Sequence, residues 1–103
     1  VFRYPPYYRL IDITLKHRSN DTLNDATDRF ARELRSVFGT RVIGPEYPNV
    51  ARIRGLYLKK IILRFERTEA ISDAKHIVLD IADRLRTDKM LSSLQIHFDV
   101  DPQ

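Results

Sequence analysis

Arg41-Val42-Ile43-Gly44-Pro45-Glu46-Tyr47-Pro48-Asn49-Val50-Ala51-Arg52-Ile53-Arg54-Gly55-Leu56-Tyr57-Leu58-Lys59-Lys60-Ile61-Ile62-Leu63-Arg64 reads as a strand, a proline-punctuated loop and a second strand. Gly44-Pro45 ends the first strand, because proline has no N–H to give to a ladder. Pro48 keeps the loop extended. Arg52, Arg54, Lys59 and Lys60 then follow within nine residues, with Tyr57 among them. A rigid loop beside a basic, aromatic-bearing strand suits nucleic-acid phosphates and bases. The same pattern also suits a plain hairpin with solvated charge, since short basic runs are common.

Upstream, Tyr8 to His17 alternates Ile11, Ile13 and Leu15 with Asp12, Thr14 and Lys16, the period of a strand covered on one face. Asn20, Asp21 and Thr22 supply caps for a helix that runs to about Phe38. Leu23, Ala26, Phe30, Leu34 and Val37 form its apolar stripe, and Gly39 is placed for a left-handed cap. Arg41 to Ile43 is a short second strand and Leu56 to Arg67 a long third one. In the latter Tyr57, Ile61, Leu63 and Phe65 share one face; Leu58, Lys60, Ile62 and Arg64 share the other, where Leu58 and Ile62 beside Lys60 would make a docking surface.

Downstream, Thr68 or Ser72 caps a second helix that runs to about Thr87, with Ile71, Ala74, Ile77 or Val78, Ile81 and Leu85 as its stripe. Leu94 to Val100 is the last strand. The order β-α-β-β-α-β predicts an α+β, ferredoxin-like fold: a four-stranded antiparallel sheet with two helices on one face. The open face would carry Asp12, Thr14, Lys16, Lys60, Arg64, Gln95 and His97.

The 103 residues make one domain, 8–103, preceded by an aromatic, proline-bearing arm at 1–7. An apolar share of 43% and a charged share of 31% fit a globular domain, and no apolar run approaches the ~18 residues of a membrane helix. The start has no apolar leader and no initiator Met, and reads as a piece of a longer chain. The net charge of +4 permits an anionic partner. Cysteine is absent, which excludes disulfides and thiolate metal sites. His17, His76 and His97 are scattered over three elements, so no metal site is expected. Asp99 and Asp101 lack an acid–base partner, no serine lies in a nucleophile elbow, and all three glycines fall at turns or caps. No catalytic residue and no cofactor is therefore expected in this domain.

Three stretches carry a resemblance that covers the whole chain in order. Val42-Ile43-Gly44-Pro45, followed by Ala51-Arg52-Ile53-Arg54-Gly55 and a strand ending Ile61-Ile62-Leu63, resembles the C-terminal domain of the primosomal replication-restart helicases, the PriA or primosomal protein N′ family. Tyr4-Pro5-Pro6-Tyr7 is similar to the arm that leaves that family's second helicase lobe. Phe98-Asp99-Val100-Asp101-Pro102 is similar to its Asp-Val-Asp-Pro ending. The resemblance implies a fold like that of a ribosomal small-subunit protein. It implies a domain that contributes to binding branched, forked or single-stranded DNA, touches the helicase lobes of its parent, and helps dock the acidic tail of single-stranded DNA-binding protein in the bacterial cytoplasm. The ATP-driven motor and zinc site of such a parent would lie upstream.

The resemblance has two departures. Where many members carry Arg-aromatic-Arg-aromatic-Gln, this chain has Leu56-Tyr57-Leu58-Lys59-Lys60, so the charge has moved to the lysine pair. The positions used for the acidic tail fall near Ile71 and Lys75, of which Lys75 is able to meet a carboxylate. The DNA-binding set is thus Arg52, Arg54, Tyr57, Lys59 and Lys60, with Arg41 and Lys16 outlying, and Lys75 is the partner contact. The competing expectation is a ferredoxin-like interaction or regulatory module that pairs through its sheet and binds no nucleic acid.

Overall fold

The computed structural model describes residues 8–48, 52–66 and 71–100. The arm at 1–7, the Arg67 end of the third predicted strand, the Thr68 cap and the Asp101-Pro102-Gln103 ending lie outside the described residues.

β1 (Tyr8–His17) is central, pairing antiparallel with β4 (Leu56–Glu66) on one side and β5 (Gln95–Val100) on the other. β2 (Val42–Glu46) pairs antiparallel with the far side of β4, giving the order β2-β4-β1-β5. This is the ferredoxin-like arrangement that alternation and element order predict. Tyr8 faces Glu66 and Ile11 faces Val100, so the start of β1 and the end of β5 lie side by side at one end of the sheet. One element was not expected: β3 (Arg52–Ile53) pairs back onto the start of β4.

The odd positions Ile11, Ile13 and Leu15 of β1 and Ile61, Leu63 and Phe65 of β4 are buried in one cluster with α1 (Asn20–Phe38) and α2 (Ile71–Arg86). On α1 the stripe ends on Phe38, not Val37. Phe38 is buried and meets Phe65 edge-on at 5.4 Å, whereas Val37 is 52% exposed. On α2 the choice between Ile77 and Val78 falls to Val78, which is buried. Ser72 lies inside α2 and so does not cap it.

The α1 cap is Ser19, not one of the three residues after it. Its extended backbone aims Oγ at the Thr22 N–H, which it accepts at 3.2 Å. The buried His17 completes this corner. Its Nδ1 accepts the Ser19 N–H at 2.9 Å, so the ring proton sits on Nε2, which donates to Ser93 Oγ at 3.0 Å. One imidazole thereby ties the β1–α1 turn to the segment that leads into β5.

Gly44-Pro45 does not end β2. The strand continues to Glu46 through a register shift between Ile43 and Glu46, and the Gly44–Pro45 peptide is cis. A bulge lets a strand absorb a proline without losing its neighbour. Arg41 precedes β2 in a short 3-10 turn (Gly39–Arg41), and Leu94 is buried just ahead of β5.

Asp88 fastens the turn after α2 to α1. Its Oδ2 accepts from Arg29 at 2.9 Å and its Oδ1 accepts the Met90 N–H at 3.0 Å. The Arg29 bond first, and the Met90 bond second, hold this carboxyl below the ordinary aspartate value. A depressed folded pKa gives stability that is present above the unfolded value and lost as pH falls through the folded one. Asp88→Asn is therefore expected to lower Tm at neutral pH. The gap to wild type should close as pH falls through and below the ordinary aspartate range, and a gap that stays constant in a pH series of melts would remove the pair from the account.

Candidate nucleic-acid interface

The basic hairpin is assembled from two strands and one helix. Arg52 faces Tyr57 across the β3–β4 pair, and its guanidinium lies 4.9 Å from the Tyr57 ring centroid. Lys59 places its ammonium 5.0 Å from the centroid of Tyr47. The Tyr47 hydroxyl donates to Asn24 Oδ1 at 3.2 Å, which tethers this ring to the start of α1. Two cations and two rings thus form one patch, on the helix side of the sheet. Each contact is of the cation–π kind, worth about 0.5–1 kcal/mol at an exposed site. Arg54 stands at the turn and is exposed.

The remaining predicted residues lie elsewhere. Lys60 is next to Lys59 in the chain but points to the opposite face, because successive strand residues alternate. There its ammonium meets Asp12 Oδ2 at 2.8 Å, with the Asp12 side chain only 15% exposed. Asp12 Oδ1 is buried with no hydrogen-bond partner among the described residues, so the pair leans heavily on Lys60. Lys16 shares that open face, facing Leu58 across β1–β4. Leu58 is buried rather than exposed, so the expected docking strip of Leu58 and Ile62 is reduced to the half-buried Ile62.

Arg41 and Lys75 belong to the other end of the molecule. Val42, next to Arg41, faces Leu63, six residues along β4 from Tyr57, or about 20 Å at the strand rise. Arg41 lines a shallow groove there with Val37, Phe38, Phe65, Asp73, Ala74 and Ile77, and Lys75 is exposed beside it.

Tyr47 was missed by sequence reasoning. Its position between Pro45 and Pro48 was the available signal, because prolines fix a loop in which a ring is held out. Arg64, 4.6 Å from the Tyr8 ring centroid, is a further stack that alternation alone did not reveal. Among the described residues no group of three His, Asp or Glu side chains converges to hold a metal ion, and no helix is long and apolar enough to cross a membrane.

A family model described as the primosomal protein N C-terminal domain matches residues 1–103. A stretch of 63 residues, 59% of the chain, is 38% identical to a Deinococcus radiodurans protein named "Probable replication restart protein PriA" and covers 7% of that protein's length. Two solved structures share the fold. The de novo designed protein Foldit4 aligns with a TM-score of 0.66 at 10% identity, over 93% of this chain and 98% of its own. A hydantoinase/carbamoylase family amidase from Burkholderia ambifaria aligns with a TM-score of 0.56 at 16% identity, over 90% of this chain and 27% of its own.

Proposed function

The chain belongs to the primosomal protein N C-terminal domain family, and from that membership we propose that it serves a replication-restart protein as a surface for branched or forked DNA. The observation that carries this reading is the pairing of Arg52 with Tyr57 and of Lys59 with Tyr47, which puts positive charge and stacking surface in one patch. No acidic residue lies between Glu46 and Glu66, so nothing in that stretch opposes a polyanion. Arg52, Arg54 and Lys59 meet phosphates; the half-exposed Tyr47 offers its ring to unpaired bases, while Tyr57 packs on the core and seats Arg52. Recognition is electrostatic and shape-based, since phosphate contacts carry affinity but no base code. On the open face Lys16 is the further candidate, since Lys60 is neutralised there by Asp12. The helicase lobes of a longer chain, and the acidic tail of single-stranded DNA-binding protein near Lys75, are the further partners of this reading, with its setting the bacterial cytoplasm. ATP hydrolysis and zinc binding belong to the parent protein.

The test is fluorescence anisotropy on forked, duplex and single-stranded DNA at low and moderate salt, with Arg52→Ala/Lys59→Ala beside wild type. Lys60 is left intact, because its loss strands the half-buried Asp12 and confounds binding with stability. Binding should weaken steeply with salt, and the variant's salt slope should be shallower by about two, one for each lost phosphate contact. No binding at low salt, or a variant equal to wild type, overturns the reading.

A second reading, a docking module without nucleic acid, draws on the apolar groove of Val37, Phe38, Phe65, Ala74 and Ile77. A concentration-dependent dimer that shifts no DNA selects it.

A further inference from the structure

The tip of the β3–β4 hairpin holds an arginine where arginine is disfavoured. Arg54 has φ +54° and Gly55 has φ +79°. Two positive φ angles in a two-residue loop are those of a type I′ turn, which asparagine or glycine fills at the first position with least strain. Ile53 immediately precedes it, is 46% exposed and pairs with Leu56 across the turn. Exposed arginines stand on both sides of this isoleucine. One exposed apolar residue thus stands between two cations in the chain, with Ile53 on the face of the hairpin opposite Arg52, whose guanidinium lies over Tyr57. A single exposed apolar side chain beside cations suits a gap between two bases, as the apolar wedges of DNA-kinking proteins do.

We propose that this hairpin is a wedge: Ile53, on one face, inserts between the last base pair and the first unpaired base of a DNA junction, while Arg54 at the turn and Arg52 on the opposite face hold phosphates of the strands that part around it. The proposal rests on the DNA-binding reading above and deepens it by naming the feature of the DNA that is read. An apolar side chain driven between base steps must unstack them. Unstacking costs least where one of the two bases is already unpaired. The wedge thus discriminates a junction from continuous duplex without reading any base edge. It also accounts for Arg54 in its strained conformation, since strain at an exposed tip is kept where the side chain has a task.

The experiment uses the 103-residue chain with DNA that carries 2-aminopurine at the first unpaired base of a fork, and a matched duplex with the same base inside the helix. Wild type should raise the fluorescence of the fork, reporting an unstacked base, and leave the duplex unchanged. Ile53→Ser, at an exposed position, should fold normally and bind duplex as wild type does. It should lose the fluorescence rise, and its preference for fork over duplex should fall roughly tenfold, the scale of one stacking contact. Arg54→Asn keeps a residue that accepts positive φ and removes the cation alone. It should weaken fork and duplex alike, lower the salt slope by about one, and retain the rise at saturation. If wild type binds the fork without a rise, or Ile53→Ser keeps both the rise and the preference, the wedge is overturned while the DNA-binding reading stands. If no DNA binds at low salt, both fall together.

Discussion

Phe30→Ala is expected to remove about 3–5 kcal/mol of folding stability, the range for truncating a fully buried phenylalanine. Phe30 lies mid-helix on α1, is completely buried, and heads the largest of the fully buried side chains. It belongs to the one cluster that joins α1, α2 and the odd face of the sheet. Close-packed surroundings relax only partly around a lost ring, so a cavity cost adds to the lost transfer term. Small domains hold about 5–15 kcal/mol in total, so the variant should be marginal at physiological temperature. Val37→Ala, one residue before Phe38 but 52% exposed, is the control and should change stability by less than about 0.5 kcal/mol. Urea titrations followed by far-ultraviolet circular dichroism read both. Equal effects at the two positions would mean that α1 does not present this stripe to the sheet.

Gly44→Ala should cost about 2–4 kcal/mol, through a backbone effect that leaves the apolar core untouched. Gly44 has φ +100°, and a Cβ placed there would stand 3.0 Å from the Lys60 carbonyl oxygen and 3.2 Å from the Glu46 nitrogen. Both are main-chain atoms of the β2–β4 pairing, so neither moves aside as a flexible side chain would. The Gly44 carbonyl is in turn held by Arg35 from α1, which fixes the bulge from the other side. Gly39→Ala separates the two contributions. Gly39 also has positive φ, at +61°, though its ψ of −126° puts it outside the left-handed helical region expected of the cap, and nothing lies within 4 Å of its would-be Cβ. It should show the conformational cost alone, about 1–3 kcal/mol. If the two variants are equally destabilised, the close approach of β2 to β4 at Gly44 is not what the residue is there to allow.

The fold was legible wherever burial on one side imposed a period. β1 reads off Ile11, Ile13 and Leu15, and α1 reads off Leu23, Ala26, Phe30 and Leu34, because these positions face one common core. Reading failed where backbone geometry outranked hydropathy. A proline in β2 signals a stop, yet a bulge carries the strand past it to Glu46. The two residues of β3 are too few for any period, and the Arg54-Gly55 turn lacks the usual asparagine. Val37 and Phe38 are both apolar at the end of a stripe, and only the position of Phe65 decides between them.

The candidate site was legible as a list of cations but not as a surface. Lys59 and Lys60 look equivalent in the chain, yet one rests on Tyr47 and the other neutralises Asp12 on the opposite face. Strand parity was available to separate them. The Asn24 tether that holds Tyr47 was not, because it links residues 23 positions apart.

The side-by-side placement of the start of β1 and the end of β5 has a mechanical consequence. Tension applied through both ends of the chain would act across these two neighbouring strands at the same end. In an antiparallel pair such a pull lies along the inter-strand hydrogen bonds and loads them one after another. β5 would therefore peel from β1 in succession, beginning at the Ile11–Val100 pair, while the β1–β4 seam behind it is loaded last. The domain is built to yield first at its final strand, far from the hairpin that carries Arg52 and Arg54.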